Sequence, residues 1–206
     1  MKIKFLKTIF LLGLVTSSLT SCVGDDDYVI PTVYSYAFNE GFESSTTGSG
    51  SNEVAISLAG WVNYNATATR LWHARTFSNN IYAEFSSFYS ATGTNDVAWL
   101  ITPAIDLTAT SGEILNFNTK TRYSNGYPLT AFISTNYNGT TAGIATATWT
   151  PLTFTTPTAD DVFVNSGNID ISAFESNNVR IAFKYTGSKS GVTTTCQLDN
   201  VKITKN

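Results

Sequence analysis

The sequence has few of the residues from which most catalytic centres are built. It contains one histidine, His73, and two cysteines, Cys22 and Cys196. A Ser-His-Asp triad would have to use that histidine, and no G-x-S-x-G motif accompanies it. A single histidine cannot supply the His-rich ligation of a catalytic zinc, and the two distant cysteines cannot form a CxxC metal pair. We therefore predict that the protein is not an enzyme and that His73 has a structural or surface role.

Charged residues are also scarce. They make up 13% of the chain, and 12 basic against 15 acidic residues give a net charge of −3. Because the sequence has no basic stripe, nucleic acid is not an expected partner. Aromatic residues reach the same 13%, and threonine, serine and asparagine are abundant. This composition is typical of an extracellular β-protein whose exposed faces are polar but uncharged, and apolar stripes with helical periodicity are absent.

The sequence also lacks a hydrophobic run long enough to cross a bilayer, which needs roughly 20 apolar residues. The apolar segment over residues 9–15 follows three lysines within residues 2–7, and this pattern predicts a secretory signal peptide over residues 1–21. The sequence Leu-Thr-Ser-Cys that ends at Cys22 resembles the bacterial lipoprotein box, in which the cysteine becomes the first mature residue and carries the lipid. We expect acyl chains on Cys22 to anchor the protein without a spanning helix.

The residues that follow Cys22 are acidic, with three aspartates at positions 25–27. Such a run can be a solvated spacer, but it also resembles the acidic export signal of surface lipoproteins of Bacteroidetes. The prediction is a lipidated tether over residues 22–33 on an outer-membrane protein that faces the cell exterior. Its only contact with the membrane would be the lipid on Cys22.

The rest of the chain consists of short strand candidates separated by Gly, Asn, Ser and Pro clusters, a pattern that indicates a sandwich or a barrel. The clearest candidate is the run Asn-Asp-Val-Ala-Trp-Leu-Ile that begins at residue 95, which reads as a strand buried on both faces. Pro103 cannot donate to a β-ladder and marks its end. The ten predicted strands cover residues 34–43, 70–75, 81–88, 97–101, 113–122, 129–135, 148–154, 161–164, 179–185 and 198–204.

Nine short motifs, taken in order, resemble the choice-of-anchor J family and the related cleaved-adhesin domains, which are jelly-roll sandwiches like MAM domains. That resemblance covers residues 34–204. It implies an all-β jelly-roll β-sandwich of about ten antiparallel strands, forming a single domain over residues 34–206, and it does not imply an activity. The motifs are NEGFE (39–43), GW (60–61), WLITP (99–103), IDL (105–107), ISTN (133–136), WTPL (149–152), IDISAF (169–174), VRIAF (179–183) and LDNV (198–201).

Calcium is the metal that the sequence favours, because it accepts carboxylate and carbonyl oxygens. Strict alternation would point Asp199 to the same side as Val201 and Ile203, and an inward carboxylate is costly unless a cation or hydrogen bonds compensate it. Cleaved-adhesin domains hold a structural calcium between their first and last strands. By that resemblance Glu40, Glu43 and Asp199 are the predicted ligands. The alternative is that Asp199 caps a turn or pairs with a basic residue.

Aromatic residues beside polar loops are the candidates for ligand binding, because flat rings can stack on a sugar while amides bind its hydroxyls. The predicted ligand-binding residues are Tyr64, Trp72, Tyr123 and Tyr127; the alternative is that these rings are part of the core. We predict a surface-anchored, non-catalytic lipoprotein that binds an extracellular glycan. An adhesin or protein-interaction module is the alternative. A glycan hydrolase is less favoured, because the sequence neither proposes nor excludes the pair of carboxylates it needs.

Overall fold

The computed structural model describes residues 35–49 and 51–205, and the described residues fold into twelve strands in two antiparallel sheets. The predicted signal peptide and the lipidated tether lie outside the described residues. The strands are β1 (Ser35–Glu40), β2 (Val62–Asn65), β3 (His73–Phe77), β4 (Asn80–Phe85), β5 (Asn95–Ile101), β6 (Ile114–Arg122), β7 (Leu129–Ser134), β8 (Thr150–Leu152), β9 (Val164–Asn165), β10 (Ile169–Asp170), β11 (Arg180–Ser188) and β12 (Thr195–Lys205).

The first sheet has seven strands, and the last strand of the chain lies at its centre. Its main order is β10-β6-β12-β4-β3, and β9 pairs with β6. Strand β12 is long enough to pair with β4 through residues 196–198 and with β1 through residues 201–205, while β6 lies along its other side. The second sheet has five strands in the order β2-β5-β11-β7-β8.

The predicted all-β sandwich is confirmed, and strand β5 shows why. Ala98 and Leu100 belong to the core between the sheets, whereas Trp99 and Ile101 belong to a second apolar cluster. Since neighbouring residues of a strand point to opposite faces, β5 is buried on both sides, as its continuous apolar run predicts. It ends at Ile101, two residues before Pro103.

Two of the twelve strands were not predicted. Strand β2 begins directly after Trp61, and β10 is only two residues long. Both are short edge segments. The sequence Val-Asn-Tyr-Asn of β2 alternates over only four residues, and the two residues of β10 are too few to show a period. The predicted strand over residues 81–88 also ends earlier, at Phe85, because a 3₁₀ helix occupies Ser87–Tyr89.

The second apolar cluster contains stacked aromatic rings. The Trp99 ring centroid lies 5.4 Å from that of Trp149 and 5.8 Å from that of Phe132, and the Tyr137 ring lies 5.3 Å from Trp149. The ammonium of Lys184 lies above both the Trp99 and Phe132 rings. These rings pack against one another in a satellite core. Within the described residues, no helix is long and apolar enough to cross a membrane.

Candidate functional site

A large cleft lies beside strand β3, where three chain connections meet. Its volume is about 810 Å³, and it opens to solvent. Strand β3, the segment before β2, the β2–β3 connection and the β4–β5 connection form its walls. The residues that line it are Ser51, Glu53, Thr67, Ala68, Thr69, Arg70, Arg75, Tyr89, Ser90, Ala91 and Thr94.

One buried asparagine shapes the wall formed by the β2–β3 connection. The Asn65 side-chain oxygen accepts hydrogen bonds from the backbone N–H groups of Thr67 and Ala68, each at 3.2 Å. Its amide nitrogen donates to the carbonyl of Arg70 at 2.9 Å and to the carboxylate of Asp96 at 2.8 Å. Asparagine side chains commonly hold turns in this way. Asn65 therefore fixes the turn that brings Arg70 to the cleft.

The opposite wall carries Tyr89, whose side chain is 74% exposed. It ends the 3₁₀ helix Ser87–Tyr89, which is capped by the Ser86 hydroxyl accepting from the Phe88 N–H at 3.2 Å. The Ser86 hydroxyl also donates to the carbonyl of Thr193 at 2.7 Å. Because the Ser86 side chain ties this turn to the β11–β12 connection, Tyr89 is exposed on a hydrogen-bonded support. The Phe88 ring is also exposed and lies edge-on to Tyr89 at 4.9 Å.

Arg70 connects the two walls. Its guanidinium carbon lies 5.5 Å from the Tyr89 ring centroid and 5.6 Å from the centroid of Phe85. It donates from Nε to Glu53 at 2.9 Å, from a second nitrogen to the other Glu53 oxygen, and from the third to the carbonyl of Ser86. A two-pronged arginine–carboxylate pair fixes the guanidinium in one plane, so Arg70 supports one side of the Tyr89 ring.

Behind the cleft, a row of polar side chains crosses the outer face of the seven-stranded sheet. His73 is paired with Glu84 in register, and Glu84 with Gln197. The His73 Nε2 atom lies 3.6 Å from Glu53 and 3.4 Å from Glu84, and Gln197 donates to Glu84 at 2.7 Å. Arg75 lies 3.8 Å from Glu53 and 3.5 Å from Glu84. His73 is 1% exposed, so the structure supports its predicted structural role.

This network keeps both glutamates ionised. Burial raises the pKa of Glu53, but the hydrogen bond from Arg70 and the charges of His73, Arg70 and Arg75 outweigh burial and hold that pKa below its ordinary value. Burial likewise raises the pKa of Glu84, but its interactions with His73, the hydrogen bond from Gln197 and the charge of Arg75 together outweigh burial and lower that pKa. Neither carboxyl has the raised pKa of a general acid.

A second cavity of about 320 Å³ shares the Tyr89 wall. Its lining includes Phe88, Tyr89 and Tyr123 together with Ser86, Thr193 and Thr195. Tyr123 is 74% exposed, and the Arg122 guanidinium lies 5.2 Å from its ring centroid. The larger cleft and this groove therefore form one continuous surface on either side of Tyr89.

The structure brings only one of the four predicted ligand-binding residues to this surface. Tyr123 lines the groove. Tyr127 lines a separate cavity of about 430 Å³, where burial raises the pKa of its hydroxyl. Tyr64 lies half-buried on β2, paired with Trp99 and packed on the satellite core. The prediction for Trp72 is wrong, because that side chain has no exposed surface.

Trp72 is a core residue for a simple geometric reason. It lies two residues before Ala74 and faces the same side, which is the interior between the sheets. Its ring packs 5.7 Å from Phe85, and its indole N–H donates to the carbonyl of Ala98 at 3.2 Å. A buried tryptophan normally finds such a partner for its N–H, and no ligand can reach this ring.

The predicted metal ligands do not converge. Within residues 35–49 and 51–205, no group of three or more His, Cys, Asp or Glu side chains is arranged to hold a metal ion. Glu40 accepts a hydrogen bond from the Phe42 N–H at 2.6 Å, and Glu43 lies close enough to Asp199 to raise the pKa of Asp199. The assumed alternation also fails, because the register of β12 shifts after Asp199 and leaves it on a different face from Val201.

Asp199 is nevertheless a buried carboxylate with few partners. It is 3% exposed, and it accepts from the Asn80 side chain at 2.9 Å and from the Asn200 N–H at 2.6 Å. Burial is the largest cause of its raised pKa, and the charge of Glu43 adds to it. The predicted calcium therefore remains a prediction about Asp199 and its neighbour Glu43.

The fold is a jelly-roll-like β-sandwich, and the cleft lies at the β3 edge of the seven-stranded sheet. Residues 61–205 match the family model described as "Domain of unknown function (DUF5017)", so the chain belongs to that family. This match does not confirm the resemblance to choice-of-anchor J domains. No curated protein matches the chain.

Solved structures support the predicted likeness to cleaved adhesins at the level of the fold. The K1 and K3 cleaved adhesin domains of Lys-gingipain from Porphyromonas gingivalis W83 are 16% and 18% identical to this chain, and both have a TM-score of 0.50. Each comparison covers 82% of this chain and 98% or 99% of the other. TmCBM27, a carbohydrate-binding module that recognises mannan, is 11% identical with a TM-score of 0.49, over 84% of this chain and 98% of the module. These similarities concern the fold alone.

Proposed function

We propose that the protein is a non-catalytic glycan-binding domain and that the ligand lies across Tyr89. One observation carries this proposal: Tyr89 is a highly exposed aromatic side chain on a hydrogen-bonded support, and it forms a wall shared by two neighbouring cavities. An exposed ring beside hydroxyl side chains matches the amphipathic surface of a sugar, with an apolar face and a polar edge. The neighbouring rings Phe88 and Tyr123 extend the same surface.

The charges of the cleft favour binding over hydrolysis. A glycoside hydrolase needs one carboxyl with a raised pKa to protonate the leaving oxygen. Glu53, which lines the cleft, and Glu84, which pairs with His73 behind it, have lowered pKa values because arginine, histidine and glutamine neighbours stabilise their charged forms. Asp199, whose pKa is raised, does not line the cleft.

Calorimetric titration with a panel of oligosaccharides tests the proposed function. The protein would be the full chain carrying Cys22→Ala, which cannot accept the lipid. Saturable binding that Tyr89→Ala abolishes supports the proposal. If a cooperatively folding protein binds no oligosaccharide of the panel, the proposed function is contradicted. That result favours the alternative of a protein partner for the exposed Phe88–Tyr89–Tyr123 surface.

We also propose that lipid on Cys22 anchors this domain to the outer membrane, facing the exterior. The lipoprotein-like sequence before Cys22 and the acidic residues after it support that proposal. Cells fed a radioactive fatty acid should label the wild-type protein, and Cys22→Ala should release an unlabelled protein from the membrane fraction. Cys196→Ala is the matched control, because that thiol is buried within the fold. Equal labelling of the Cys22→Ala protein would refute lipidation at this site.

We propose that calcium bound at Glu43 and Asp199 is a structural cofactor. The raised pKa of Asp199 provides a test of this proposal. A raised folded-state pKa favours folding at low pH, and this contribution is lost as pH rises through the folded pKa. Without calcium at neutral pH, Asp199→Asn should therefore melt at a higher temperature than the wild type. Excess calcium should stabilise the wild type by about 3 kcal/mol at a hundredfold excess over Kd and should leave Asp199→Asn unchanged.

The control for this experiment is Asp106→Asn, which changes an exposed carboxylate whose partner is Thr108. That variant should respond to calcium as the wild type does. Identical melting temperatures for the wild type in calcium and in chelator would show that calcium does not stabilise this fold and would contradict the proposal.

A further inference from the structure

We propose that the glycan held at Tyr89 carries no charged groups, an inference that rests on the function proposed above and narrows its ligand class. Three charged side chains line the larger cleft among the described residues: Glu53, Arg70 and Arg75. Recognition of a uronic acid or a sulfated sugar needs a basic group that can pair with the anion. The partners of the two arginines therefore decide which sugars the cleft accepts.

The positive charge of Arg70 is already paired with a carboxylate of the protein. Both oxygens of Glu53 accept hydrogen bonds from it, and its third nitrogen donates to the carbonyl of Ser86. Its guanidinium carbon lies over the rings of both Tyr89 and Phe85. This arrangement supports the aromatic wall from behind and leaves no uncompensated positive charge for a ligand.

Arg75 is compensated in the same way. Its Nε atom lies 3.5 Å from Glu84, and another of its nitrogens lies 3.8 Å from Glu53. Two arginines thus face two glutamates, and His73 lies between the carboxylates. The lowered pKa values of Glu53 and Glu84 agree with this geometry, because both carboxylates stay ionised at neutral pH and keep the arginines neutralised.

An anionic sugar would have to compete with a carboxylate that is already in place. Displacing Glu53 from Arg70 leaves a partly buried glutamate without its partner, which opposes binding. An uncharged sugar meets no such obstacle. It can stack on Tyr89 and exchange hydrogen bonds with the hydroxyl groups at the rim of the cleft, which belong to Ser51, Thr67 and Thr69. The cleft is therefore built to discriminate by charge.

The test compares two sets of probes on the full chain carrying Cys22→Ala. One set contains neutral gluco-, manno- and xylo-oligosaccharides, and the other contains oligogalacturonates and glucuronate-bearing oligosaccharides of matched length. We expect Tyr89-dependent binding of a neutral probe that is at least about tenfold tighter than any acidic probe. Its Kd should change by less than about twofold between roughly 0.05 and 0.5 M salt, since no ion pair with the ligand is screened.

A variant that gains affinity for acidic probes gives a sharper test of this inference. Glu53→Gln removes the carboxylate that pairs with Arg70, so Arg70 acquires uncompensated charge, and this variant should bind acidic probes in a salt-sensitive way. Glu175→Gln is the matched control, because Glu175 is exposed before β11 and does not line the cleft. Melting curves must show that both variants are folded.

The outcomes separate this inference from the proposed function. Wild-type protein that binds acidic probes more tightly, in a manner that depends on Tyr89 and weakens with salt, overturns the charge inference and leaves glycan binding intact. Folded Glu53→Gln protein that still rejects acidic probes also overturns it. Silence towards both sets overturns the proposed function and this inference with it.

Discussion

Tyr89→Ala should weaken glycan binding by about tenfold or more while the domain stays folded. The ring is 74% exposed, so its removal leaves no cavity in the core, and its loss should affect stability by less than about 0.5 kcal/mol. Glycan affinity should fall much more, because a rigid aromatic side chain at the centre of a site commonly contributes about 2 kcal/mol or more to the binding free energy. Titration calorimetry on matched preparations measures the difference.

Two further variants show whether the Tyr89 ring itself is the cause. Tyr89→Phe keeps the ring and removes the hydroxyl, so it should retain most of the affinity if stacking dominates. Phe77→Ala removes another exposed ring, 69% accessible, from the β3–β4 hairpin outside the cleft, and it should bind as the wild type does. Equal losses in Tyr89→Ala and Phe77→Ala would show that the assay responds to general surface hydrophobicity, and would contradict a site at Tyr89.

Trp72→Ala should lower the free energy of unfolding by about 3–5 kcal/mol, the usual cost of truncating a buried tryptophan. The side chain is completely buried, packs on Phe85 and donates a hydrogen bond to Ala98. Its removal leaves a cavity between the sheets that the two strand layers cannot close without breaking register. Equilibrium unfolding in denaturant, followed by circular dichroism, measures the loss.

A graded pair of controls accompanies this prediction. Trp72→Phe keeps an aromatic ring but loses the indole N–H, so it should cost clearly less than the alanine change. Phe77→Ala should leave stability within about 0.5 kcal/mol of the wild type, since that ring is exposed. A Trp72→Ala protein with wild-type stability but without glycan affinity would mean that Trp72 contacts the ligand after all.

Local sequence pattern predicted the architecture well, because most of the strands have a signature in their own residues. The continuous apolar run of β5 identified a strand buried on two faces, and the predicted strand over residues 113–122 overlaps β6, whose Leu115 and Phe117 lie in the core. These inferences need only the two-residue period of a strand and the avoidance of proline within a ladder. They require no knowledge of which strands become neighbours.

The binding surface could not be predicted in the same way, because its residues meet only after the sheets form. Glu53 and Arg70 are 17 residues apart, and Tyr89 comes from a third segment. The one local signal was the pair Phe88–Tyr89, which follows two serines. The predicted strand extends to residue 88, but the 3₁₀ helix turns both rings outward. Asp199 illustrates the opposite error, because an unpredicted bulge in β12 reversed its expected face.

The position of β12 also determines when this domain can fold. The seven-stranded sheet is arranged around a strand made from the last residues of the domain, and β1, at the other end of the described chain, pairs with it. A nascent chain that lacks residues 195–205 has neither the centre of that sheet nor a partner for β1. Folding of this sheet is therefore deferred until residues 195–205 have been synthesised, and closure of such long loops places this topology among the slower-folding proteins.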